Sequence, residues 1–313
     1  MSTPSRAPPA AFDDSRLRSA AREGFLRLRS CTLCPRRCGV DRVAGEAGFC
    51  RTGLRAKLAS WGPHFGEEAP LVGRGGSGTL FLAECNLRCG FCQNWDISWG
   101  GAGQPVGLSR LAEVMLDLQG RGCVNINWVT PSHVVPQLVG ALRLARRRGL
   151  SLPVVYNSSA YDSVDTLRLL AGLVDIYLPD LKWFTESTGA RLAAAPDYGA
   201  VARSALREMH AQVGDLEIGG DGVARRGLLV RHLVMPGNLS ESEVVLPWIA
   251  EQLSPRTYVN VMDQYRPAGR AWELGPLDRR VRHEEVGAAL AVARAAGLER
   301  IDGVTAGLRH RRR

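Results

Sequence analysis

Short apolar runs of four to seven residues alternate along this chain with longer segments whose apolar positions recur every three or four residues. Residues 79–84, 125–129, 153–157, 175–178, 228–234 and 258–262 are too short for helices and rich in Val, Ile, Leu and Tyr, which predicts six strands. Between them, 109–119, 134–148, 164–171, 198–213 and 241–253 carry apolar residues at helical spacing, and 283–296 repeats the pattern after the last strand. Ser109 is a suitable N-cap for the first helix, and Gly149 closes the second. Strand–helix alternation predicts parallel strands joined by right-handed crossovers, with functional side chains gathered where the strands end. No G-x-G-x-x-G opens the first helix, which argues against an open dinucleotide-binding sheet.

Length and composition narrow the class. A chain of 313 residues can hold one large domain and a small module. The start, MSTPSR, leads into Ala and Pro without an apolar run, so no secretory leader is expected. No stretch approaches the roughly 18 apolar residues of a membrane span, and the expectation is a cytoplasmic protein without membrane contact. In that compartment eight cysteines read as metal ligands, not as disulfides. The net charge of +9 comes mostly from arginine. Arg146, Arg147 and Arg148 suit the negative pole at a helix end. The tail His310–Arg313 could touch phosphates, but a solvated end is the plainer reading, and nucleic acid is not expected as a partner. A non-catalytic metal module binding nucleic acid is the remote alternative.

Seven of the eight cysteines fall in two groups, and Cys123 is left as a core residue. Cys85, Cys89 and Cys92 form C-x3-C-x2-C directly after the first predicted strand. Three thiolates on one loop can hold three irons of a [4Fe-4S] cube and leave the fourth open to a ligand. Upstream, Cys31, Cys34, Cys38 and Cys50 form C-x2-C-x3-C-x11-C. Four thiolates can close a zinc site or fill every corner of an auxiliary iron–sulfur cluster, and the spacing does not choose between these metals. A closed, structural site is the preferred reading.

The cysteine loop, with Phe91 before its last cysteine and Gly75–Gly78 before its strand, resembles that of the radical S-adenosylmethionine (radical SAM) enzymes. Residues 75–98 resemble one subfamily, relatives of the pyruvate formate-lyase-activating enzymes that carry their own N-terminal cysteine module. The resemblance implies an α/β fold, a partial (β/α)6 TIM-like barrel with a small N-terminal cysteine-rich metal-binding module. The expected division is a 1–30 extension, a 31–74 cysteine-rich module, a 75–265 barrel and a 266–313 C-terminal helix and basic tail.

The resemblance also implies S-adenosylmethionine chelated at the open iron and an electron from reduced flavodoxin or ferredoxin. Cleavage of the sulfonium then yields a 5′-deoxyadenosyl radical that abstracts hydrogen from a substrate. Phe91, Asn94, Thr130, Ser132, Asn157, Asp180, Lys182 and Arg231 are its candidate cofactor-binding residues. The Gly-Gly-Glu that related enzymes carry near 129–133 is missing here, and Thr130 and Ser132 stand in its place. Arginine within a barrel strand needs an anion, so Arg231 is expected to meet the cofactor carboxylate, while alternation turns His232 to the other face. Asp263, Gln264 and Tyr265 are candidate catalytic or substrate residues. His133 reads as a helix-start residue. The substrate is either a glycyl-radical-type protein or a small molecule, peptide or RNA.

Overall fold

A computed structural model describes residues 13–303. The expected basic tail at 310–313 lies outside the described residues. The strands in chain order are β1 (Ala56–His64), β2 (Ser77–Leu82), β3 (Gln104–Val106), β4 (Ile126–Val129), β5 (Val154–Ser158), β6 (Ile176–Pro179), β7 (Glu217–Ile218), β8 (Ala224–Leu233), β9 (Tyr258–Met262) and β10 (Arg300–Asp302). Strands β2, β4, β5, β6, β8, β9 and β10 pair side by side, all parallel. β1 joins the β2 edge antiparallel, β3 follows it, and β7 pairs with β8.

The six expected strands are all present, and their crossover helices fall where the 3.6-residue period placed them: Leu108–Gly120, Val135–Arg147, Val164–Leu170, Tyr198–Val213 and Ser242–Gln252. One cap differs. Gly107, not Ser109, precedes the first of these helices, and no side chain caps it. The sheet is α/β and curls. Glu67, on the turn after β1, accepts from Asn127 of β4 at 3.1 Å and also pairs with Arg231 of β8, although β5 and β6 lie between those strands.

Alternation along the strands sorts their side chains onto two faces. Val154, Tyr156, Tyr177, Leu228 and Val230 join the large core beneath the helices. Val155, Ile176, Leu178 and Leu229 point the other way and pack on Leu71, from the short helix Ala69–Val72. That turn and helix plug the concave face.

The expected boundaries move outward at both ends. The helix Asp14–Leu26, within the expected extension, packs on Val135–Arg147; Arg143 Nη2 donates to Asp14 at 2.8 Å, and a Cβ on Gly24 would meet the Pro136 ring at 2.9 Å. β1 lies in the expected cysteine module but belongs to the sheet, and β10 extends the sheet beyond residue 265. An unpaired strand edge and an amphipathic helix both need a partner surface, and the barrel supplies it. Among the described residues no helix is long and apolar enough to cross a membrane.

Candidate metal centres and cofactor site

The three-cysteine loop leaves the end of β2, where Glu84 takes a left-handed backbone conformation at φ +68°. Thr130 (φ +60°) after β4 and Ala160 (φ +59°) after β5 do the same. Non-glycine residues in this region carry strain that gathers at functional turns. Buried Glu84 is held by Lys57 Nζ at 2.8 Å and Arg51 at 3.0 Å, which anchors the start of the loop. Backbone bonds fix the rest: Arg88 N donates to Ala193 O at 3.1 Å, Gly90 N to Leu192 O at 2.9 Å, and Arg270 N to Gly90 O at 2.6 Å.

Within the loop, Cys85 Sγ accepts from Leu87 N at 3.3 Å, and Cys92 Sγ lies 3.5 Å from Ser98 Oγ. Burial pushes the Cys85 thiol up to about 11, opposed by the Leu87 N–H and Arg88. Burial raises Cys89 further, with the Lys182 ammonium pulling the other way. Lys182 Nζ donates to Asp180 at 2.6 Å. Burial works against its charge, but Asp180 and Cys89 outweigh that and keep it an ammonium. A cation near these cysteines at a strand end fits a thiolate-bound cluster and an anionic ligand next to it.

The remaining candidates divide. Thr130, Ser132 and Asn157 sit at the ends of β4 and β5, with Thr130 N donating to Asn157 O at 2.9 Å. Asn94 is exposed at the start of the helix Trp95–Ser98. Phe91 is buried against Trp183 and Tyr265, with ring centroids at 6.0 and 6.1 Å. Tyr265 is buried too, and its hydroxyl donates to Leu277 O at 2.7 Å, so it is a packing residue behind the loop and not one facing a substrate. Asp263 is exposed, and Gln264 lends its carbonyl to Gln93 Nε2 at 3.2 Å, beside the cysteine loop.

Arg231 has a different anion from the one expected. Its Nε donates to Glu68 Oε1 at 2.7 Å, its Nη2 to Glu68 Oε2 at 2.7 Å, and it also pairs with Glu67. Asn260 Nδ2 adds a bond to Glu68 at 2.7 Å. Burial works to raise the Glu68 carboxyl, yet the Arg231 charge holds it below the usual range. The fork is thus filled from within the chain. The clue was Glu67-Glu68 before an apolar turn, which as sequence reads only as an acidic helix start. His232 does face the other way, between Leu181 O and Ser242 Oγ, both at 2.8 Å.

The four upstream cysteines line one recess. Burial pushes the Cys34 thiol up to about 12, and Cys50, Cys31 and Cys38 add to the shift. Among the described residues no three His, Cys, Asp or Glu side chains are pre-set in metal-holding geometry, so the sulfurs share a recess without forming a closed shell. Two arginines cross-link the groups. Arg36 Nε donates to Asn86 O at 2.9 Å, next to Cys85, and Arg88 Nη2 donates to Phe49 O at 2.6 Å, next to Cys50. The module thus sits directly on the loop. His133 stands just before the helix Val135–Arg147, as expected of a helix-start residue; it also lines the same recess, and its ring is buried and bonded to Ala83 O at 3.1 Å. Burial, then the Arg42 charge, lowers its pKa to about 3, so the ring is neutral.

Among known proteins, the chain is 32% identical over 282 residues to the uncharacterized protein MJ0674 of Methanocaldococcus jannaschii, covering 88% of this chain and 77% of that one. The chain belongs to the family of that protein. No family model matches. Among solved structures, HydG, a maturase of the [FeFe]-hydrogenase, superposes with a TM-score of 0.50 at 12% identity, covering 70% of this chain and 49% of that one. HydG from Carboxydothermus hydrogenoformans gives 0.48 at 10% identity, with 70% and 50% covered. The chain therefore spans about half the length of either HydG chain. The first of these likenesses supports the curled parallel sheet as the fold.

Proposed function

We propose that this family member is a radical SAM enzyme of the activating-enzyme type, holding its cluster on Cys85, Cys89 and Cys92. The observation that carries the reading is those three cysteines on one anchored loop at the end of β2, with the Lys182–Asp180 pair at the end of β6 and its ammonium beside Cys89. The chemistry supplied with a bound [4Fe-4S] cluster is one-electron cleavage of the S-adenosylmethionine sulfonium at the iron that these three thiolates leave open.

This chain's residues do the rest. Lys182 offers a cation to the ligand's carboxylate, and Asp180 offers an anion to its amino group. Polar groups of Thr130 and Asn157 face the ligand from neighbouring strand ends. The plug of Leu71, Glu67 and Glu68 excludes water from the concave face below. Exposed Trp95 and Trp272 lie on the two segments flanking the loop, and supply an aromatic surface for a protein partner. The partner proposed there is reduced flavodoxin or ferredoxin as electron donor.

Protein reconstituted without oxygen, given dithionite and S-adenosylmethionine, is expected to release 5′-deoxyadenosine. Cys89→Ala is expected to release none. Equal release by the variant removes the assignment.

A further inference from the structure

A single buried hydroxyl joins the strand ends that carry the cofactor residues. Tyr198 opens the helix Tyr198–Val213, and its side chain is fully buried. Its hydroxyl accepts from Lys182 N at 3.0 Å and shares its proton between two carbonyls, Asp180 O at 2.9 Å and Ser159 O at 3.0 Å. Asp180 and Lys182 follow β6, and Ser159 follows β5. Buried backbone groups beyond the end of a strand have lost their ladder partners and need others. Here one phenol serves three of them. The same ring stacks on Tyr161 with centroids 6.2 Å apart and lies 5.0 Å from Trp183. Trp183 in turn meets Phe91, inside the three-cysteine loop, at 6.0 Å.

The rest of this short segment is held as well. Asp180 N donates to Ser158 O at 2.9 Å and Leu181 N to Arg231 O at 2.8 Å, while Leu181 O faces His232 Nδ1 at 2.8 Å. Tyr198 adds the anchors on either side of Leu181. Two glycines let it come so close. A Cβ on Gly199 would collide with Phe184 O, and one on Gly189 would lie 2.9 Å from the Tyr198 Cβ. Packing alone does not require the oxygen, since phenylalanine has the same ring. The oxygen's partners all belong to the two segments that present Asp180, Lys182 and Asn157.

We propose that Tyr198 is a positioning residue for S-adenosylmethionine, its hydroxyl fixing the Asp180–Lys182 pair against the turn after β5. The inference rests on the reading that Lys182 and Asp180 hold the charged amino-acid end of that ligand. Such groups serve only when locked to within about 0.5 Å of the productive geometry. Tyr198 supplies the lock through the backbone.

The test is equilibrium binding of S-adenosylmethionine to the anaerobically reconstituted full-length protein, for Tyr198→Phe, Lys182→Met and the double variant. Tyr198→Phe should weaken binding on the order of tenfold, the worth of one or two hydrogen bonds, with iron content unchanged. In the Lys182→Met background the same change should add no more than about twofold, because it acts through that pair. Tyr177→Phe controls for stability, since its buried hydroxyl donates to Gln212 at 2.7 Å and to neither strand-end segment. It should lower the melting temperature as Tyr198→Phe does and keep native affinity. Native affinity in Tyr198→Phe overturns the proposal. Equal losses of affinity in Tyr198→Phe and Tyr177→Phe, or effects that multiply in full in the double variant, overturn it too. Native affinity in Lys182→Met overturns the reading of the site on which it rests.

Discussion

Replacing Arg231 with leucine should unfold the protein more easily and leave S-adenosylmethionine binding nearly unchanged. The guanidinium is the counter-charge of two buried carboxylates, Glu67 and Glu68, and its removal strands both beneath the barrel mouth. Breaking a buried pair by deleting one partner costs about 3–5 kcal/mol. At roughly 2.1 cal/mol/K per residue, the 313 residues give an unfolding entropy near 0.66 kcal/mol/K, so the melting temperature should fall by about 5–8 °C. The effect carries a pH signature. In the native protein the folded Glu68 pKa is depressed, so its contribution is present above the unfolded value of 4.5 and is lost as pH falls through the folded one. Without Arg231, burial, the largest influence on Glu68, is opposed by its hydrogen bond from Asn260 and no longer by a charge, and the folded pKa should lie above the unfolded value. The variant then loses stability as pH rises above about 4.5. The gap between the two melting curves should widen from pH 4 to pH 7. Adding Glu67→Gln and Glu68→Gln to the variant should close most of it. A variant that melts like the native protein but has lost cofactor affinity would falsify this account and return Arg231 to the ligand.

Four further outcomes are expected. Cys89→Ala should lose the cubane absorption and 5′-deoxyadenosine release while keeping the upstream metal, as metal analysis would report. Lys182→Met should weaken S-adenosylmethionine binding by about 10- to 150-fold, the worth of a charge-assisted bond, with iron content unchanged; binding within a factor of two of native removes Lys182 from the site. Cys34→Ser should lower the melting temperature and release the upstream metal, since that metal's binding energy is also folding energy; an unchanged melt with metal retained counts against the centre. Burial holds the folded pKa of His232 down to about 4 against 6.5 when exposed, so stability is full above pH 6.5 and should decline toward pH 4 by about 3 kcal/mol. His232→Gln should flatten that decline, and an unaltered slope shows the ring is not its source.

Sequence alone determined the parts of this protein whose physics is local. A period of two or of 3.6 decides strand or helix within a few turns, so the six central strands and their helices, Tyr198–Val213 to the residue, were legible before any coordinates. C-x3-C-x2-C is likewise a local statement: three sulfurs within eight residues cannot avoid sharing a loop. Only the tertiary structure decided what depends on partners distant in the chain. β1 and β10 became strands because open sheet edges were there to receive them. Arg231 was recognised as needing an anion, but its partners lie 163 and 164 residues away, a separation over which no pattern of hydrophobicity carries information. His133 reads as a helix start from its neighbours in sequence, and it is one; its place on the cysteine recess arises from the curl of the sheet and the Arg42 bond to its carbonyl. Local periodicity records which face a residue takes, while the identity of the charge or sulfur it meets there is set by chain crossings that only folding brings about.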